Sequence, residues 1–324
     1  MTASSDVLLF MLPPDWYTPD DLEAVRRTAP ELEVMVENER ERILALLPRI
    51  VVGVGHVPFD LLAEMPRLRW VQLWHAGADA ILSYPAAQAH PFVLTNASGV
   101  HAVPISEHIL SLLLAFARGL PKAFKAQQAR RWESPDWEEV FELEGKTLLL
   151  VGVGAIGART AQVAATLGVR VLGVRRHPEQ PAPGVAAMYP PDALHELLPQ
   201  ADFVALTLPL TPETKGIIGA AELALMKPTA YILNIGRGAA IDEPALIEAL
   251  RAGRIGGAGL DVFAEEPLPP DSPLWAMENV IITCHYAGKT PVYDQRAMAI
   301  LLDNLERFRQ GLPLRNVVDK MLGY

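Results

Sequence analysis

Residues 146–157 read Lys-Thr-Leu-Leu-Leu-Val-Gly-Val-Gly-Ala-Ile-Gly. An apolar run from Leu148 to Val151 leads into Gly152, Gly154 and Gly157, and a helix-compatible segment from Ala155 to Leu167 follows. Strand, glycine turn and helix in that order are what a dinucleotide pyrophosphate requires. Gly152 permits the tight turn, Gly154 lets the backbone approach the phosphates, and Gly157 lets the helix pack closely on the strand. The helix N-terminus then faces the negative charge. The glycine pattern alone is weak evidence; here the strand and the helix stand where the motif needs them. Gly152, Gly154, Ala155, Ile156 and Gly157 are therefore the first candidate cofactor contacts.

A chain of 324 residues suggests about two domains. Half of it is hydrophobic, enough for large cores. Its formal charge is −10 with no Lys/Arg cluster, which argues against a nucleic-acid partner. The single cysteine, Cys284, has no intramolecular partner, and no Cys/His cluster has metal-site spacing. No basic region precedes Val7 to Phe10, so this run reads as a first strand and not a signal peptide. The most apolar stretch, 109–116, is far too short to span a bilayer. The expectation is a soluble, cytoplasmic protein without membrane or metal.

Short apolar runs at 6–11, 33–36, 50–54, 70–74 and 92–95 alternate with helical patterns at 20–27, 39–47 and 59–65. Such alternation argues for a parallel sheet with crossover helices. A second series supplies strands at 147–151, 170–174, 202–208, 230–235, 259–263 and 280–283, six in all, as in a doubly wound dinucleotide domain. Between the series a helical pattern spans 104–128, interrupted near Gly119 and Pro121, and a last one spans 291–310. The proline-rich stretches 181–191 and 267–273 read as surface loops.

The strand after the glycine turn should end in an acid that bonds the adenosine ribose. It ends instead in Arg175-Arg176-His177. Guanidinium forks suit a phosphate, which points to a 2′-phosphate and NADP(H), with NAD(H) possible; a solvated basic pair is the plainer reading. Arg237, in Asn234-Ile235-Gly236-Arg237-Gly238, follows another strand. Carboxylates follow in Gly259-Leu260-Asp261-Val262-Phe263-Ala264-Glu265-Glu266-Pro267, and the last strand ends on His285-Tyr286-Ala287-Gly288. An arginine, an acid and a histidine at the ends of separate strands can converge in one crevice. Singly, each is as well read as a surface charge, a loop acid or a core histidine.

These blocks, with 70–108 (Ala76-Gly77-Ala78-Asp79-Ala80-Ile81 and Asn96-Ala97-Ser98-Gly99-Val100) and Leu206-Thr207-Leu208-Pro209-Leu210-Thr211, resemble the D-isomer-specific 2-hydroxyacid dehydrogenase family over almost the whole chain. The resemblance implies that Arg237, Glu266 and His285 are catalytic: His285 as acid/base, Glu266 tuning it, Arg237 binding the substrate carboxylate and polarising the carbonyl. It also implies that the amides of Ala76, Gly77 and Ala78 anchor that carboxylate. By the same resemblance Asp261 lies on the nicotinamide side, while Ile235 joins the cofactor contacts and Leu208, Pro209 and Thr211 line the adenosine. Arg175 departs from the aspartate of many relatives, and no role follows for Tyr286 or Lys289.

His75 is open to a pocket-lining role, and His101 and His108 to hinge or packing roles. His56 follows Gly53-Val54-Gly55, a decoy lacking the third glycine, and a plain strand-to-loop turn is the better reading. Trp74 reads as an interior aromatic, and Cys284 as a small buried residue on a strand. Trp132 and Trp137 fit either an interface arm or local packing.

The expected fold is α/β, with two doubly wound parallel-sheet domains: a Rossmann-type cofactor domain at 101–289, and a smaller flavodoxin-like substrate domain at 1–100 plus 290–324. The chain should cross between them near Gly99 and Gly288, with hinges allowing closure. The expected function is NADP(H)-linked reduction of a 2-keto acid, with glyoxylate, hydroxypyruvate or a larger acid as candidates. The family implies a homodimer. The alternatives are a phosphite- or formate-type dehydrogenase of the same fold, and a dinucleotide-sensing, corepressor-like interaction protein.

Overall fold

A computed structural model describes residues 6–321 and 323. The chain divides into two compact units, Met1–Val100 with Thr290–Tyr324, and His101–Lys289.

The first unit opens with β1 (Val7–Met11), α1 (Pro19–Thr28), β2 (Glu33–Val36), α2 (Arg40–Leu46) and β3 (Ile50–Gly55). It continues through β4 (Trp70–Gln72), the short helices α3 (Asp79–Leu82) and α4 (Pro85–Ala89), and β5 (Val93–Thr95). Five parallel strands lie in the order β2-β1-β3-β4-β5. β1 is apolar throughout because both of its faces are covered: Val7, Leu9 and Met11 enter one core, Leu8 and Phe10 the other. Thr18 caps α1 by accepting from the Asp21 amide, while Asp21 accepts from the Thr18 amide. The helical pattern expected at 59–65 forms a 3₁₀ helix, Phe59–Glu64. Gly53 and Gly55 sit inside β3, and Gly55 ends the strand at φ +87°, the turn expected there.

The second unit contains α5 (Ala102–Ala117), α6 (Leu120–Gln128), β6 (Thr147–Val151), α7 (Ala155–Thr166), β7 (Arg170–Val174) and β8 (Val185–Tyr189). Then come α8 (Leu194–Leu197), β9 (Phe203–Leu206), α9 (Ala220–Leu225), β10 (Tyr231–Asn234), α10 (Glu243–Arg251), β11 (Gly257–Leu260) and β12 (Val280–Ile282). Seven parallel strands run β12-β11-β10-β9-β6-β7-β8, one more than expected. The extra strand, β8, lies in the stretch read as a loop. Its flanking Pro181, Pro183, Pro190 and Pro191 mask it, and an edge position tolerates them. β11 begins two residues earlier than expected. It reads Gly-Ala-Gly-Leu because a Cβ on Gly257 would stand 2.4 Å from the Asn279 carbonyl, and one on Gly259 3.0 Å from Leu112. α5 and α6 break near Gly119, as read from the sequence. Among the described residues no single helix is long and apolar enough to cross a membrane, and these two qualify only as a pair bent by 73°.

The chain then returns to the first unit as α11 (Tyr293–Gln310). Its Ala297, Met298, Leu301 and Leu305 share a core with α1 and β1. Asn304 Nδ2, fully buried, donates to Gln72 Oε1 (3.1 Å) and to the Arg315 carbonyl (3.1 Å). Trp74 is buried, as expected; its Nε1 donates to Asp294 Oδ1 at 2.8 Å, and the Tyr293 hydroxyl donates to the Trp74 carbonyl at 2.6 Å.

Candidate active site

All strands of the second unit are parallel, so every loop that follows one emerges at the same edge of the sheet. Open α/β sheets bind ligands at that edge. Gly152, Arg175, Thr207, Arg237, Asp261 and His285 all follow strand ends there.

The turn after β6 is closed by hydrogen bonds and by absent side chains. Gly152 (φ +99°) donates its N–H to the Val174 carbonyl (2.9 Å), and its own carbonyl accepts from Thr207 Oγ1 (2.6 Å). A Cβ on Gly157 would stand 2.5 Å from the Gly152 carbonyl oxygen. A Cβ on Gly154 would meet nothing within 4 Å, so this side of the turn is open. Gly154 is the N-cap of α7, and no side chain caps the helix. Ala155, Ile156 and Gly157 thus present uncapped helix-start amides beside open space, a fit for a pyrophosphate.

Beyond β7, Arg175 Nη2 donates to Gln180 Oε1 at 2.7 Å. The Thr211 hydroxyl, its hydrogen-bond partner, holds the Glu213 carboxyl below the usual carboxylate range, and the nearby Arg176 charge adds to this. Leu208 and Thr211 are buried, and Thr214 Oγ1 closes their loop by donating to the Pro209 carbonyl (2.7 Å) and accepting from the Thr211 amide (2.7 Å). Ile235 is buried on the neighbouring loop.

Asn234, at the end of β10, shapes the arginine loop: its Oδ1 accepts from the Gly236 amide (3.1 Å) and its Nδ2 donates to the Arg237 carbonyl (3.0 Å). Arg237 Nη1 donates to the Gly236 carbonyl at 3.0 Å. Gly238 packs against the next loop so closely that a Cβ would fall 1.9 Å from the Phe263 backbone. That loop contains Glu266, whose Oε1 accepts from the Phe263 amide (3.0 Å) and whose Oε2 lies 2.7 Å from His285 Nδ1. Nδ1 carries the proton facing a carboxylate, and Nε2 stays outside that contact.

His285 has φ +51°, a left-handed conformation uncommon for a side chain of this size. Asp261, almost wholly buried, holds the turn. Its carbonyl accepts from the His285 amide (2.8 Å), and its carboxylate accepts from Thr283 Oγ1 (2.6 Å) and from the amides of Tyr286 (3.1 Å) and Ala287 (3.0 Å). Cys284 is exposed, which corrects the buried-strand reading: β12 ends at Ile282, and the cysteine rides on the loop. His101 packs on Gly288, Nδ1 to carbonyl oxygen 3.1 Å, where a Cβ would not fit.

In the first unit, Asn96 Nδ2 donates to the Ala76 carbonyl (2.6 Å) and His75 Nδ1 lies 2.7 Å from the Gly77 carbonyl. The carbonyls of this loop are bonded, whereas among the described residues the amides of Ala76, Gly77 and Ala78 are not. Sequence reasoning passed over Asn234, Thr207, Thr283 and the detail of His108. Asn234 two residues before Gly236 carried a legible signal, an asparagine bonding the backbone two positions on.

A cavity of about 360 Å³ beside Lys146, Asp202 and Tyr231 opens at the opposite, amino edge of the strands, away from these residues. Among the described residues no group of three or more His, Cys, Asp or Glu is placed to hold a metal ion.

Residues 110–287 match the family model of the D-isomer specific 2-hydroxyacid dehydrogenase NAD binding domain. The chain is 38% identical to a glyoxylate reductase of Aeropyrum pernix over 81% of its own length and 79% of that protein. It is 34% identical to a D-3-phosphoglycerate dehydrogenase of Methanocaldococcus jannaschii over 89% of its own length, but spans only 55% of that relative. A solved NADPH-dependent glyoxylate/hydroxypyruvate reductase from Sinorhizobium meliloti, in complex with NADP and sulfate, superposes with a TM-score of 0.81 at 30% identity, covering 98% of this chain and 100% of that one. With two parallel-sheet units, a glycine turn that fits a dinucleotide and relatives matched over most of its length, the chain belongs to the D-isomer specific 2-hydroxyacid dehydrogenase family of oxidoreductases.

Proposed function

We propose that this protein reduces a small 2-keto acid to a D-2-hydroxy acid, with NADPH preferred over NADH. The observation that carries the reading is the His285–Glu266 pair, 2.7 Å apart, on the same sheet edge as Arg237 and the Gly152 turn. Bound nicotinamide would supply the hydride. The side chains must then manage charge and one proton. As hydride reaches the carbonyl carbon, negative charge grows on its oxygen. His285, as imidazolium, gives the Nε2 proton to that oxygen and keeps Nδ1–H on Glu266; acid catalysis of this kind contributes about 10²–10⁴-fold. Arg237 binds the substrate carboxylate and polarises the carbonyl, and the amides of Ala76, Gly77 and Ala78 add carboxylate contacts.

The second unit is the dinucleotide domain in this reading, and the first is the substrate domain. Gly152, Gly154, Ala155, Ile156 and Gly157 hold the pyrophosphate. Leu208, Pro209, Thr211 and Ile235 line the cofactor, and Asp261 lies at its nicotinamide end. Arg175 and Arg176 take the 2′-phosphate; that the Sinorhizobium relative binds NADP supports this. Fully exposed Trp132 and Trp137 have no local packing and serve as an arm of a homodimer. The relatives carry the names glyoxylate reductase and D-3-phosphoglycerate dehydrogenase, which lends nothing to the phosphite, formate or corepressor readings.

A panel of 2-keto acids, run with both reduced cofactors, tests the proposal. Turnover of at least one acid, faster with NADPH, is the expected result. NADPH binding without reduction of any acid would overturn it in favour of a sensing module.

A further inference from the structure

Behind the His285 turn runs a chain of partly buried polar contacts that the catalytic reading leaves unused. Asp261 Oδ1 receives the Thr283 hydroxyl at 2.6 Å, and Thr283 Oγ1 in turn lies 3.2 Å from Nε2 of His108 on α5. The hydroxyl has one hydrogen to give. The carboxylate, already accepting the amides of Tyr286 and Ala287, has none to return. The short bond therefore fixes the direction: Thr283 donates to Asp261, and His108 Nε2–H donates to Thr283. The Tyr286 ring meets the His108 ring edge-on, with centroids 5.7 Å apart, which gives this otherwise unassigned tyrosine a place. Thr283 lies two residues before His285, so the same hydroxyl ties the strand end to the carboxylate that holds the loop's amides.

We propose that His108 and Thr283 are positioning residues for His285, a relay that commits one oxygen of Asp261 and steadies the 285–287 turn with His285 in its left-handed conformation. Each link has one orientation, so the loop has one as well. Without the relay, the Asp261 carboxylate keeps only the amides of Tyr286 and Ala287, the strand end loses its tie to it, and the turn that holds His285 at φ +51° is less firmly fixed. Burial supports the assignment: it pushes the His108 imidazole below its ordinary range, against the opposing pull of the Asp261 charge, so the ring is a neutral single donor near pH 7.

The inference rests on the reading of His285 as proton donor, and the test separates the two. Thr283→Val, Thr283→Ser, His108→Phe, His108→Gln and His285→Ala are compared on the most active keto acid of the panel. NADPH affinity is read by fluorescence titration and folding by thermal melts. Thr283→Val and His108→Phe are expected to lower kcat about tenfold, with NADPH affinity and melting temperature little changed. Thr283→Ser and His108→Gln, which restore a hydroxyl and a donor, should recover most of it. Wild-type kcat in Thr283→Val and His108→Phe, with His285→Ala inactive, overturns the relay alone. So does a loss that follows melting temperature and is not rescued by the conservative variants. Wild-type turnover in His285→Ala overturns the relay and the catalytic reading together. Should Thr283→Val not fold, the His108 pair, acting from a different element, decides by the same criteria.

Discussion

At the scale of single residues, two kinds of constraint meet on one sheet edge: groups that must be present and groups that must be absent. In the proposed function, Arg175 and Arg176 are of the first kind. Changing both to Ala is expected to weaken NADPH by about ten- to a hundredfold while NADH changes little, measured by titration of each cofactor. Equal losses would remove them from the 2′-phosphate. Gly238 is of the second kind. A methyl there would fall 1.9 Å from the Phe263 backbone, so Gly238→Ala must push the arginine loop away from the loop that carries Glu266. We expect a stability loss of about 1–3 kcal/mol in urea unfolding, together with a fall in turnover larger than any fall in NADPH affinity. Unchanged kinetics would mean that the two loops need not touch. The arginine, glutamate and histidine were legible as residue types after strands; the glycine that lets the arginine loop pack on the loop of Glu266 was visible only as one letter in Gly-Arg-Gly.

Among the elements, legibility followed chemistry. β6 and the turn into α7 stood out because a buried parallel strand is a continuous apolar run and a phosphate turn needs glycine. β8 did not, since a strand framed by prolines looks like a loop until its edge position is known. β11 was misplaced because crowding by Asn279 and Leu112 forces glycines where strand-forming residues would have marked it. Cys284 was misread because β12 stops at Ile282, one residue sooner than the expected strand, and the cysteine falls in the loop beyond it. α11 was clear as a helix, but its anchor was not: the Tyr293 hydroxyl donates to the Trp74 carbonyl, and burial, with help from the Asp294 charge, pushes its pKa from about 10 up to about 12. A raised folded value keeps this contribution whole below the unfolded pKa of roughly 10 and removes it as pH climbs towards 12. The wild type should therefore lose stability relative to Tyr293→Phe in denaturant midpoints taken upward from pH 9. Parallel curves would show that the hydroxyl does not couple to folding.

For the whole molecule, the proposed homodimer makes a prediction of its own. Trp132 and Trp137 are fully exposed. Replacing both with Ser should shift sedimentation from dimer to monomer at micromolar protein, since aromatic anchors carry a large share of interface energy. A persistent dimer would place the interface elsewhere. The division of the chain matters in another way. The first unit is begun by Met1–Val100 and completed only by Thr290–Tyr324, with the entire second unit encoded between. A ribosome emits the opening strands long before it emits the helix whose Ala297, Met298, Leu301 and Leu305 cover them. Through that interval Leu8 and Phe10 lack part of their covering, while the inserted body can finish folding first. Birth order and assembly order are thus reversed: the stretch translated before the inserted body waits for the stretch translated after it, and a message that stops within the inserted body strands what came before it.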